Sequence, residues 1–319
     1  MKRLNTRLLA WLVSGVLVLL MGMFVLHAYQ MRVNAAQLSK KAEDAESKGE
    51  IGRAAKHYRE LLKHQRGPEI AEKLNAIYQK RLKDRDVQPL DHLRDYQSLQ
   101  ELVRLFPTMK AVRETAIDHA FFLGLRFADQ GPRINDAMTM IEDLFQQSDE
   151  RDPEMELKYA QCLTAMRAYD KAVPALKALV GYDDQTRKFR ANARGAKLVN
   201  AYTLLATILE LQKNPGNQKT IEKLLERMVE ANPDSFEAYL RRGEYYRGNQ
   251  RAPELAEPDL LKAYELNPHD TETSIGAARV ALQHKEWARA DEILTQAIAE
   301  HGDEEALYWL WTASADAQG

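Results

Sequence analysis

Between Phe236 and Gly302 one pattern of small and bulky residues occurs twice, at a constant offset. Ala256, Leu260 and Ala263 are each matched 34 positions later, by Ala290, Leu294 and Ala297. In the first copy Tyr239, Gly243 and Tyr246 come first at spacings of four and three, a polar turn follows, and Pro268 closes the unit. The second copy carries Ala277 and Ala278 ahead of its alanines and Gly302 behind them. Residues three and four apart share one face of an α-helix, so each copy reads as two helices joined by a turn. Such a pair cannot bury its apolar stripe alone. It completes its core by stacking on the next pair, and a fixed period of this length marks a stacked helical array. The small residues stand where two helices approach closely, and the bulky ones fill the space left over.

Tyr239, Gly243, Tyr246, Ala256, Leu260, Ala263 and Pro268 follow a known order: bulky residue, Gly or Ala, aromatic, Ala, bulky residue, Ala, Pro. In this the unit resembles the tetratricopeptide repeat. The resemblance implies an all-α, TPR-like α-solenoid, a right-handed superhelix of helix hairpins. The composition agrees with helix throughout: only 15 Gly and 11 Pro in 319 residues, with long runs of Ala, Leu, Glu, Lys and Arg. At 45% hydrophobic the chain has ample material for a core. Its 45 basic and 47 acidic residues leave no global field that would draw it to nucleic acid. A single cysteine, Cys162, excludes an intrachain disulfide and reads as a small core residue.

The N-terminus is of another kind. From Leu8 to Met31 there is no Asp, Glu, Lys or Arg, and the apolar heart Leu8–Leu26 is 19 residues long. At about 1.5 Å per residue it spans the roughly 30 Å hydrocarbon core of a bilayer. Trp11 and Tyr29 stand near its ends, as interfacial aromatics do. A cleaved signal peptide is the alternative, but its apolar region is typically about 7–15 residues. The expected organisation is therefore a cytoplasmic segment 1–7, a transmembrane signal-anchor helix 8–29, and a TPR-like superhelix 36–319 of about seven helix pairs, the last incomplete. Lys2, Arg3 and Arg7 before the span, against mixed charge after it, place the array outside the cytoplasm. In a bacterial cell that is the periplasmic side of the inner membrane.

The intervening chain reads as weaker copies. Leu38, Ala42 and Ala45, a turn at Gly49, then Ala54, Tyr58 and Leu61 make the first pair. Gly67-Pro68 break it; Leu74, Ile77 and Tyr78 open a second pair, closed by Leu99, Leu102 and Pro107. The charged run Lys80–Asp86 within it reads as a solvated helix end. Ala116, Ile117, Ala120 and Leu123 open a third pair, completed after a loop over 129–136 by Ala137, Ile141 and Leu144. Tyr159, Ala160 and Leu163 with Ala172, Leu176 and Leu179 form the fourth. Tyr202, Leu205, Ala206 and Leu209 with Ile221, Leu225 and Met228 form the fifth. Pro174 and Pro258 share one slot, read here as the first helical turn, where a missing N–H loses nothing. Residues 183–197, with Arg187, Lys188, Arg190, Arg194 and Lys197, read as an exposed linker, a solvated extension of the next helix, or a basic patch for an anionic partner. Leu307, Tyr308, Leu310 and Trp311 begin a first helix with no second after it. They form either a cap, with Tyr308 and Trp311 covering the last pair, or the start of repeats that continue beyond residue 319.

No phosphate-binding glycine loop, nucleophile elbow, His-Glu-x-x-His or paired-cysteine pattern is present, and the histidines are scattered. His57, His64 and the Asp118-His119 pair read as surface or packing residues. The expectation is a protein that is no enzyme, with no catalytic, cofactor-binding or metal-binding residues and no small-molecule substrate. Function in the family comes from the concave groove lined by first helices, which holds an extended peptide or a partner's helix. The groove residues expected here are Leu157, Gln161, Leu240, Arg241, Glu244, Ile275, Arg279 and Leu282. The Lys/Asn set with which some members clamp a C-terminal carboxylate is not reproduced. The expected role is thus a membrane-anchored scaffold for a protein or peptide partner. The alternatives are a cytoplasm-facing regulator of an envelope-synthesis enzyme, or the leading part of a longer protein with a catalytic domain beyond residue 319.

Overall fold

A computed structural model of the chain describes residues 6–84, 87–127, 133–147, 151–248, 253–302 and 304–318. Among these are fifteen α-helices and one two-stranded ribbon, gathered into two compact units, residues 1–144 and 145–319. The first unit contains α1 (Thr6–Ser47), α2 (Ile51–His64), α3 (Pro68–Lys83), α4 (Pro89–Leu105), α5 (Lys110–Arg126) and most of α6 (Arg133–Gln147). The second contains α7 (Pro153–Ala165), α8 (Tyr169–Val180), the strands β1 (Tyr182–Asp183) and β2 (Lys188–Phe189), then α9 (Val199–Leu211) and α10 (Gln218–Ala231). It continues with α11 (Phe236–Gly248), α12 (Pro253–Leu266), α13 (Thr271–Gln283), α14 (Trp287–Glu300) and α15 (Glu305–Gln318). Hairpins form from α1 and α2, α3 and α4, α7 and α8, α9 and α10, α11 and α12, and α13 and α14, the odd-numbered helix coming first in each. Within each unit a second helix packs on the next first helix, as in α2 on α3, α8 on α9 and α12 on α13.

Helix ends follow local chemistry. Asp152 and Asp270 cap α7 and α13 through their side-chain oxygens, accepting from Glu154 N and Thr273 N at 3.0 Å each. Prolines 68, 89 and 153 occupy first helical positions, where their fixed φ suits the helix. Hairpin turns reuse one closure. Gly49 takes φ +73°, and Glu50 N bonds back to Ala45 O at 2.9 Å. Arg167 (φ 59°) and Lys285 (φ 60°) do the same, with Ala168 N on Leu163 O and Glu286 N on Ala281 O. Glycine was legible only at the first of these turns; the other two hold the left-handed conformation with a side chain in place.

α1 is unbroken from Thr6 to Ser47, so the span and the first repeat helix are one rod. No Gly or Pro lies between Tyr29 and Ala35 to divide them. Ser14 to His27 are exposed on every side, whereas Ala42 and Ala45 are buried against Ala54, Tyr58 and Leu61 of α2. Tyr58 donates to Glu46 at 3.1 Å across this hairpin.

Two readings are corrected and a third is narrowed. Arg81, in the charged run taken as solvated, is turned inward: its Nε donates to Asp95 Oδ2 at 2.5 Å, and Asp95 is only 2% exposed. Burial raises the Asp95 carboxyl above its usual range, against the opposing pull of Arg81. Pro174 and Pro258 each lie six residues into their helices, past the first turn. Each removes an N–H that would reach the carbonyl of Asp170 or Glu254; both residues are exposed, so water can serve those carbonyls. Tyr308 and Trp311 cover the last pair only in part, each remaining 43% exposed. Leu307 is the α15 side chain that enters the core there.

The cores hold few polar groups. In the first unit His119 is fully buried, its Nε2 3.2 Å from Tyr78 O, beside His92, which in turn packs on Phe122. Tyr78 donates to Ser98 at 2.7 Å. In the second unit Arg242 makes a two-pronged contact with Asp259, 2.7 Å at each oxygen, and Asp259 is 5% exposed. Cys162 is fully buried and burial pushes its thiol up to about 11, so it is an inert core residue. Residues 182–189 form the ribbon, pairing Tyr182 with Phe189 and Asp183 with Lys188, rather than a featureless linker. Asp183 accepts from Gln185 N and Thr186 N to shape its tip, and those bonds hold its carboxyl below the usual range. The loop expected over 129–136 is described only from Arg133, where α6 begins.

Candidate functional site

The first-helix face of α11 and α13 carries most of the expected groove residues, and the structure joins several into a charged ladder. Arg241 on α11 pairs with Glu272 on α13 at 2.9 Å. Glu244 on α11 faces Arg279 on α13 at 3.8 Å and also accepts from Arg247 Nε at 3.0 Å. Arg241, Glu244 and Arg279 are half-exposed and Glu272 is exposed, so the ladder lies on the surface. Its rungs link successive first helices, which is the direction along which a groove in such an array runs.

The other expected residues fall out differently. Leu240 is 2% exposed and packs with Ala256, Leu260, Ala263 and Val280, so it belongs to the hairpin interior. Leu157 is 5% exposed. A three-or-four-residue stripe shows which residues share a face, but the width of the buried face depends on how closely neighbouring helices press on it. Gln161 is half-buried on α7, two first helices before α11 and apart from the ladder. Ile275 is half-buried against the cluster of Ala277, Ala278, Leu294 and Leu307, and Leu282 is half-buried at the end of α13.

Glu272 was missed by sequence reasoning. Its signal is its place in the first turn of α13, two residues after the capping Asp270, where carboxylates favour the helix start. That context explains an acid there without reference to Arg241. The ladder's charges take one another as partners. Exposed pairs of this kind contribute only about 0–1 kcal/mol, so they hold the helices in register weakly. Among the described residues no cluster of three or more His, Cys, Asp or Glu side chains is placed to hold a metal ion.

No protein-family model matches the chain, and no curated protein matches it by sequence. Solved structures do. A tetratricopeptide repeat protein from Parabacteroides merdae superposes with a TM-score of 0.55 at 13% identity, covering 88% of this chain and 99% of its own. A thermophilic TPR protein of Thermus thermophilus covers 63% of this chain and 99% of its own at 19% identity, with a TM-score of 0.43. The chain has the tetratricopeptide repeat fold: helix hairpins in an all-α array, with one long apolar helix at the N-terminus. At such identities the likeness is one of fold, and the site must be argued from this chain's own residues.

Proposed function

We propose that the chain is a membrane-anchored scaffold that takes a protein or peptide partner along the first-helix face of α11 and α13. The α11–α13 ladder carries this reading. Arg241, Glu244, Glu272 and Arg279 present both signs of charge on adjacent first helices, next to the partly apolar Ile275 and Leu282. Weak mutual ion pairs can be exchanged for a partner's groups at little net cost. The tetratricopeptide fold supports the reading, since such arrays act through shape and exposed groove residues. In this reading the chain is not an enzyme, needs no cofactor and binds no nucleic acid.

The anchor is α1. It is long and apolar enough to cross a membrane, although a signal sequence has the same character. The exposed stretch Ser14–His27 has no protein surface against it, which suits lipid and not water. With Lys2, Arg3 and Arg7 kept in the cytoplasm, the repeats stand on the extracytoplasmic side of a bacterial inner membrane. A reporter fused after residue 319, active on only one side, separates this from a cytoplasm-facing regulator.

The partner test uses a photo-crosslinking residue in the intact membrane protein, placed at Arg241 or Arg279, with Glu265 on a second helix as control. A discrete adduct from the first two positions and none from Glu265 supports the groove. Adducts at all three positions, or at none, overturn it.

A further inference from the structure

We infer that the outer face of the first unit, between α2 and α4, is a docking surface for anionic lipid headgroups of the membrane in which α1 is anchored. The inference rests on the anchoring reading and adds a second, electrostatic contact with the same bilayer. Between the two helices runs a trough of about 680 Å³. From α2 and the turn after it come Lys56, Arg59, Lys63 and Arg66, with Glu60 as the one acid. From α4 come Arg94 and Glu101. Five basic side chains thus face two acidic ones in a chain whose overall charge is close to balanced. Lys63 is paired with Glu60 at 2.8 Å and Arg94 with Asp91 at 3.1 Å. Lys56, Arg59 and Arg66 form no ion pair among the described residues. Arg59 feels the charges of Glu60 and Asp95, but none of the three makes a close carboxylate contact, and they are collected along one concave strip.

The place of this strip argues for lipid over a diffusing anion. α1 is one unbroken rod, so the level of each later residue above the span follows from helix rise. The C-terminal end of α2 lies low on that rod: His64 and Gln65 share a hollow of about 550 Å³ with Met31, Arg32 and Ala35. Arg32 is six residues, about 9 Å along the axis, past the end of the apolar heart at Leu26. Headgroups extend about 5–8 Å beyond the hydrocarbon on each side, and the screening length at physiological salt is about 8 Å. Lys63 and Arg66 therefore lie within electrostatic reach of the headgroups, and the strip leads away from them along α2 towards Arg59 and Lys56. Because α1 holds the strip at the bilayer, headgroup phosphates meet it at a high effective concentration, whichever leaflet it faces.

The test uses the full chain with Gln97→Cys, an exposed position lining the trough, labelled with a fluorophore; buried Cys162 is inert to mild labelling. The protein is reconstituted in vesicles of neutral phosphatidylcholine, or of phosphatidylcholine mixed with anionic phosphatidylglycerol, and quenched with neutral acrylamide. Anionic lipid should cut quenching by at least about twofold, and about 1 M salt, with a screening length of about 3 Å, should restore it. The variant Lys56→Ser/Arg59→Ser/Arg66→Ser should show no lipid effect, while a label at Glu265 in the second unit should read the same in both vesicles. A chain that floats with neutral vesicles but is quenched equally in both overturns this inference alone. Inorganic phosphate or polyglutamate that protects the label in neutral vesicles as well as phosphatidylglycerol does also overturns it, in favour of a soluble anion. A chain that fails to float with neutral vesicles defeats the anchoring reading and this inference with it.

Discussion

The Leu260 side chain closes on Gly243 so tightly that a methyl group built on Gly243 would stand 3.0 Å from Leu260 Cγ and Cδ2. On its other side a methyl on Gly276, in the next hairpin, would stand 3.1 Å from Leu260 Cδ2. One bulky residue of the repeat is thus seated in a notch shared by two successive first helices. Replacing a helical glycine by alanine ordinarily stabilises by about 0.5–1 kcal/mol through the backbone. At Gly243 the overpacking penalty, about 1–3 kcal/mol, outweighs that gain. Gly243→Ala should therefore destabilise by about 1 kcal/mol. Gly248→Ala, at the end of α11 where an added methyl meets nothing within 4 Å, should instead stabilise slightly. Urea midpoints of the two variants check the opposite signs.

Arg242 and Asp259 join the two helices of the same hairpin beside Leu260. Arg242→Met leaves a carboxylate that is 5% exposed without its partner, a change that typically costs about 3–5 kcal/mol. The double variant Arg242→Met/Asp259→Leu should recover most of that loss. A double-mutant cycle in denaturant measures it; independent, additive losses would show that the pair is not coupled.

Acid should loosen the first unit through His119. Burial lowers its imidazole to about 4 from an ordinary value near 6.5, with the bond to Tyr78 O and then Asp118 opposing and Arg81 adding to the shift. The folded state thus keeps the neutral ring, while the unfolded chain takes up a proton below about pH 6.5. Stability is full above that value and falls as pH drops towards 4, by on the order of 3 kcal/mol. His92, lowered by burial and by neighbouring His119, acts in the same direction. Urea titrations at pH 7, 5 and 4 should show a smaller acid loss for His119→Gln than for the parent chain.

The hairpin turns at Arg167 and Lys285 hold left-handed backbone with non-glycine residues. Lys285→Gly relieves strain of about 1 kcal/mol or more, against some added freedom in the unfolded chain. A rise in melting temperature of about 2–4 °C is the expected outcome. No change, or a fall, would show that the Lys285 side chain contributes more than its backbone costs.

These sites also show where sequence reading reached and where it stopped. The stripe of Ala256, Leu260 and Ala263 was legible because helical periodicity is a property of consecutive residues. Gly243 was read correctly as a point of close approach. Gly276 passed unnoticed, since the adjacent Ala277 and Ala278 satisfied the same pattern. Arg81 was read as solvated because a charged run looks the same whether or not a carboxylate waits on the next helix. Of the expected groove, Arg241, Glu244 and Arg279 meet on one face, whereas Leu240 and Leu157 are buried in packing.

From residue order alone came the all-helical array, its hairpin period, the apolar leader and the inert cysteine. All four depend on spacing and composition within a few turns of chain, where side-chain chemistry acts without reference to distant partners. Tertiary structure alone decided that Asp259 answers Arg242, that His119 is sealed beneath Tyr78, and that Arg241 reaches Glu272. It also decided that five basic side chains line one trough between α2 and α4. Each of these depends on which surfaces meet through space. Helices packed a repeat apart bring together residues whose separation in sequence carries no sign of the contact.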